Sequence, residues 1–107
     1  MLIFNTTFHV ENSEHDAYLD FIRTTYIPKA LENGLIKDPA LAKVHANHGE
    51  TGVSYALQFR AESIEILNEW AEKTGENLSK ELVSKFGNKV AGFATLLEEV
   101  EIDILEE

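Results

Sequence analysis

There is no cysteine among the 107 residues, which excludes a disulfide framework and any thiolate chemistry. Basic residues are also scarce: nine Lys and Arg stand against nineteen Asp and Glu, for a formal net charge of −10. A phosphate backbone would be repelled over most of such a surface, so no nucleic-acid partner is expected. Anionic membranes are disfavoured by the same argument. No apolar run is long enough to span a bilayer. The opening Met1-Leu2-Ile3-Phe4-Asn5 lacks the basic start and long apolar stretch of a signal peptide. Together these absences predict a soluble cytoplasmic protein. Its acidic cluster at Glu98, Glu99, Glu101, Asp103, Glu106 and Glu107 reads as a solvated face.

What is present suffices for one modest core. A hydrophobic fraction of 44% over this length predicts a single domain over residues 1–107. Leu2 to Val10 alternates apolar and polar residues with period two, the pattern of a strand. Asn12 and Ser13 offer helix caps, with Asp16 as an acidic capping-box partner. Tyr18, Leu19, Phe21, Ile22, Thr25 and Tyr26 then follow at helical spacing. Pro28 predicts a kink or restart, and Gly34 a stop.

A second strand is predicted from Leu41 to Asn47, turning through "NHGETG". Val53, Tyr55, Leu57 and Phe59 alternate with Ser54, Ala56, Gln58 and Arg60, the clearest strand pattern in the chain. Glu62 favours the start of a second helix, whose stripe is Leu67, Trp70, Ala71, Thr74, Leu78, Leu82 and Phe86. Gly75 interrupts it, at a cost of ~1 kcal/mol relative to Ala. A last strand is predicted from Val90 to Leu105, and no internal repeat is apparent. The order β-α-β-β-α-β predicts an α+β, ferredoxin-like sandwich: an antiparallel four-stranded sheet with two helices on one face.

The other sheet face would carry Ile3, Asn5, Thr7, His9, Leu41, Lys43, His45, Ser54, Ala56, Gln58 and Arg60. This mixture is too apolar for full solvation and too polar for a second core. It suits a homodimer whose sheets meet around a wet cavity.

The chemistry-bearing residues are few. His45 and His48 diverge if both are extended, and a third ligand is missing, so no metal site is expected there. His15 falls in the first turn of the first helix, where it can cover the core edge and bond a neighbouring group. No nucleophile-base constellation, phosphate loop or metalloprotease motif occurs.

The segments "HDAYLDFIRTTYIPKAL", "GVSYALQF" and "KFGNKVAGFATLLEEVEI" together resemble the dimeric α+β barrel superfamily. Within it they resemble an uncharacterised bacterial family of short single-domain proteins. The resemblance implies the same fold and a dimer. The superfamily includes cofactor-free monooxygenases, isomerases and haem degraders; the last use a strand-one asparagine, a helix-two tryptophan and a histidine further along that helix. Asn5 and Trp70 are similarly placed, but "TGENLSKEL" from Thr74 to Leu82 contains no histidine, which removes the reason to invoke haem. No cofactor is expected. The first reading is therefore a homodimeric module, non-catalytic or holding a small ligand between facing sheets. The alternative is a cofactor-independent monooxygenase or isomerase. Candidate contact residues are Asn5, His9, His15, His45, Tyr55 and Trp70.

Overall fold

The computed structural model describes residues 1–45 and 51–102. Four strands form one antiparallel sheet: β1 (Leu2–Glu11), β2 (Lys37–Lys43), β3 (Gly52–Ala61) and β4 (Val90–Glu98), in the spatial order β2-β3-β1-β4. Two helical stretches cover one face of it. The first runs through α1 (His15–Phe21), a π-helical turn (Ile22–Tyr26) and α2 (Ile27–Leu31). The second runs through α3 (Ile64–Trp70), another π turn (Ala71–Gly75) and α4 (Glu76–Phe86). This is the βαββαβ ferredoxin-like arrangement that the hydrophobic periodicities predict.

The core lies between sheet and helices. β1 and β3, the central strands, contribute Phe8, Val10, Tyr55, Leu57 and Phe59; the helices contribute Tyr18, Phe21, Ile22, Tyr26, Leu67, Trp70, Leu78, Leu82 and Phe86. Cross-strand pairing holds the faces in phase. Phe8 stands opposite Tyr55 and Thr6 opposite Leu57, while Asn5 stands opposite Gln58 and His9 opposite Ser54 on the other, open face.

The two π turns fall at the same point of each helical stretch. In both, seven α-helical residues precede five π-helical ones, a structural repeat with no counterpart in the residues themselves. Each turn closes with an i to i+5 bond, from Ile27 N–H to Ile22 O and from Glu76 N–H to Ala71 O. The first explains why Pro28 neither breaks nor restarts the helix: the widened turn before α2 makes room for its ring. The second brings Gly75 under the indole of Trp70. A Cβ at Gly75 would lie 2.7 Å from Trp70 Cζ3, so the glycine that weakens the helix locally is what admits the tryptophan. Trp70 Nε1 donates to Ala30 O at 2.9 Å, locking the two helical stretches together with a satisfied buried donor.

Several boundaries differ from the sequence expectation. β2 begins four residues earlier than predicted, at Lys37, and ends at Lys43. Asp38, with φ 54, and Pro39 sit in a register shift between Lys37 and Ala40; an edge strand tolerates both because its outer side needs no ladder bonds. The shift also reverses the expected faces: Leu41 pairs with Leu57 and Lys43 with Tyr55 on the helix side, leaving Ala40 and Ala42 on the open side. β4 ends at Glu98 and residues 99–102 are not strand, while the rest of the predicted strand, 103–105, lies outside the described residues. Around the helix starts, Ser63 rather than Glu62 is the cap, its hydroxyl accepting from Ile66 N–H at 3.2 Å. Asn12–Glu14 forms a 3-10 turn with no side-chain cap bond, so the capping box is not made. Gly34, at φ 73, ends the first stretch as expected and donates to Leu31 O.

Candidate functional site

A groove of about 970 Å³ opens between α4 and the β4 side of the sheet, within the size range of small-molecule sites, roughly 300–1,000 Å³. Its origin is a shortage of side chain on β4. On the helix side, β3 presents Tyr55, Leu57 and Phe59, whereas β4 presents Gly92 and Ala94 after Val90. Gly92 has no room for more, since a Cβ there would meet the Phe8 ring at 2.7 Å. The helices do not descend to fill the space, and the ends of both π turns, Tyr26 and Gly75, face it. Phe4, Phe8, Trp70, Leu82, Val83 and Phe93 supply apolar walls; Thr6, Ser79 and Asn88 add neutral polar groups. Glu76 and Lys80 are the charged residues of the lining. Phe4 meets Trp70 edge to face, with ring centroids 5.7 Å apart, which fixes the indole as one wall.

The six candidate residues divide among four places. Trp70 alone lines the groove. Asn5 and His9 stand on the open sheet face, on the far side from Trp70, so the asparagine-tryptophan pair suggested by the resemblance does not converge on one site. On that face Gln58 Nε2 donates to Asn5 Oδ1 at 3.1 Å, Asn5 Nδ2 donates to Thr7 Oγ1 at 3.1 Å, and His9 Nδ1 lies 3.3 Å from the hydroxyl of buried Ser54. These polar groups satisfy one another.

His15 and Tyr55 are brought together from positions forty residues apart. His15 Nε2 and the Tyr55 hydroxyl share a hydrogen bond, and His15 Nδ1 lies 3.3 Å from Asp16 Oδ1. About a third of the His15 side chain stays exposed. Tyr55 is buried and stacks on Tyr18, centroids 5.6 Å apart. Among the described residues, the Tyr18 hydroxyl is the one buried side-chain polar atom without a hydrogen-bond partner. Burial, with the neighbouring Tyr26 and Tyr55, holds that phenol far above its ordinary value; burial pushes Tyr26 up to about 12. Both remain neutral at any physiological pH.

His45 is exposed and follows the end of β2; His48 lies outside the described residues. Among the described residues no three His, Cys, Asp or Glu side chains gather as a metal site would require. No helix among them is long and apolar enough to cross a membrane.

Comparison with known proteins matches residues 1–100 to the family described as Domain of unknown function (DUF4286). The chain belongs to that family. A comparison with curated proteins finds no match. Among solved structures, an ethyl tert-butyl ether D family protein from Bacillus halodurans is similar at 16% identity and TM-score 0.70. The match covers 94% of this chain and 100% of that one. A protein from Deinococcus radiodurans, provisionally assigned as an antibiotic biosynthesis monooxygenase, matches at 12% identity and TM-score 0.69, over 99% and 100% of the two chains. A dimeric ferredoxin-like protein from an uncultured marine organism matches at 14% identity and TM-score 0.52, over 98% and 99%. At such identities the likeness establishes the ferredoxin-like fold and leaves the chemistry to the site itself.

The groove was missed at the level of sequence because β4 reads as an apolar strand. The available signal was the small pair Gly92 and Ala94 at alternate positions, opposite Phe8 and Thr6.

Proposed function

We propose that this DUF4286 protein is a homodimeric binding protein for a small, largely apolar molecule held in the groove between α4 and β4, with Trp70 as its principal contact. The observation that carries this is the groove itself: aromatic walls beside the stretch of β4 whose inward positions are Gly92 and Ala94, between Val90 and Leu96. An apolar guest gains by replacing water there, at roughly 25 cal/mol for each Å² of apolar surface covered. The reading calls for no metal or cofactor. The catalytic alternative, a cofactor-independent oxygenase or isomerase, is less well supported, because no histidine is among the described groove-lining residues and no acid-base pair converges on its apolar walls.

The dimer reading rests on the open sheet face. Its apolar residues include exposed Phe93 and Leu97, and its polar residues Asn5, Thr7, Gln58, His9 and Ser54 are already paired with one another. The dimeric fold neighbour from the marine organism supports the same reading. In this assembly Asn5 and His9 are interface residues rather than ligand contacts.

The groove is tested with the neutral fluorophore N-phenyl-1-naphthylamine. Its emission should rise saturably with the wild-type protein and fail to do so with Ala94→Phe, which fills the groove from the strand side. Equal enhancement by both proteins would remove the groove as the binding site.

A further inference from the structure

The groove and the open face meet along β4, at Ala91 and Phe93, of which Phe93 carries the large side chain. By register Phe93 stands on the open face opposite Thr7, yet it is also part of the groove wall. This is so because β4 is the edge of the sheet and no further strand separates its two sides. Phe93 is 65% exposed, an unusual state for an aromatic ring beside a cavity, since a wall open on one side forfeits the contacts that would hold it.

We propose that a second copy of this chain, seated on the open face, packs against Phe93 and completes the outer wall of the groove, so that ligand binding and dimerisation strengthen each other. The inference rests on the groove reading above and adds to it the control of the site.

The choice of a second copy as occupant follows from charge. The open-face positions between Ile3 and His9, Ala40 and Ala42, Ser54 and Arg60, and Ala91 and Leu97 carry no acidic residue; Glu11, which continues that face opposite Gly52, stands at the very end of β1. In a chain of net charge −10, this is where two copies can approach with least repulsion. The guanidinium of Arg60 at one end is already paired with Glu99. The internal bonds of Gln58, Asn5 and Thr7 let the face be covered without leaving those groups unsatisfied. A ligand that finds a complete wall only in the dimer must tighten the dimer by the same factor by which dimerisation tightens the ligand.

The experiment combines sedimentation with titration of N-phenyl-1-naphthylamine, on the wild-type chain and on Leu97→Glu and Thr95→Glu. Both replaced residues are on the open face and outside the groove lining, and folding of each variant is checked by circular dichroism. The expected result is a wild-type dimer whose dissociation constant falls when the probe is saturating, and folded monomeric variants that bind the probe about tenfold more weakly. Folded monomers that bind the probe as tightly as the wild type would overturn the coupling and leave the groove reading intact. A wild-type chain that stays monomeric at micromolar concentration would overturn it too. Absence of probe binding to the wild-type dimer would remove the groove reading and the coupling together.

Discussion

Trp70 and Gly75 fit each other across a π turn: the indole occupies the space that any side chain at residue 75 would need. The glycine costs helix propensity, and the buried indole more than offsets it. Trp70 brings a large apolar area, a bond to Ala30 O and one wall of the groove.

Gly75→Ala should therefore destabilise the protein, although alanine is the better helix former. The gain of ~1 kcal/mol in propensity is outweighed by an overpacking cost of about 1–3 kcal/mol. Urea unfolding followed by Trp70 emission, from the chain's only tryptophan, measures the balance. A more stable variant would show that the indole can move aside freely.

His15 and Tyr55 should be energetically coupled. His15→Ala should cost on the order of 1 kcal/mol, the scale of a half-exposed hydrogen bond, and His15→Gln should recover part of it. A double-mutant cycle with Tyr55→Phe should give a coupling energy of about 0.5–1 kcal/mol. Strictly additive effects would mean that the bond contributes nothing to folding.

Stability should fall on the alkaline side. Tyr18 and Tyr26 have phenols raised above their ordinary 10.0 by burial, Tyr26 to about 12. A group whose folded value is raised contributes stability that is whole below the unfolded value and is lost as pH rises through the folded one. Between pH 10 and 12 the melting temperature should drop, and unfolding at pH 11 should release a step in phenolate absorbance near 295 nm. Ionisation of Tyr18 and Tyr26 in the folded protein near pH 10 would contradict this.

The register of β2 is open to a simple check. Leu41, on the helix side against Leu57, should cost about 1–2 kcal/mol when replaced by Ala, less than a fully buried leucine would. Ala42→Ser, on the open side against Ala56, should change monomer stability by no more than about 0.5 kcal/mol. The reverse ranking would restore the faces that simple alternation from Leu41 suggested.

The strands β1 and β3 and both apolar helix stripes were legible because a long periodic pattern fixes which face is buried. The faces of β2 were not, since the irregularity at Asp38 and Pro39 shifts its register and an edge strand of mixed residues carries no strong alternation. The site was less legible still. Tyr55 and Trp70 could be singled out as chemistry-bearing residues, but not the pairing of His15 with Tyr55, which only the packing of α1 on β3 creates. The groove lies beside the short residues Gly92 and Ala94, and a pattern of apolar residues does not register a void. A cavity between facing sheets, with Asn5 and His9, needs a second chain to form it, whereas the groove on the helix side is formed by one chain alone.

The location of the ligand is therefore the central claim, and an amide-resolved NMR titration of the full chain with N-phenyl-1-naphthylamine tests it most directly. The helix amides of Gly75, Ser79 and Val83, whose residues line the groove, should show the largest shifts and saturate together. Ala42 and Ser54, remote from the groove, should move little. Largest shifts at Ala42, Ser54 and His9, with Gly75 and Ser79 unmoved, would place the ligand on the open face and contradict the account.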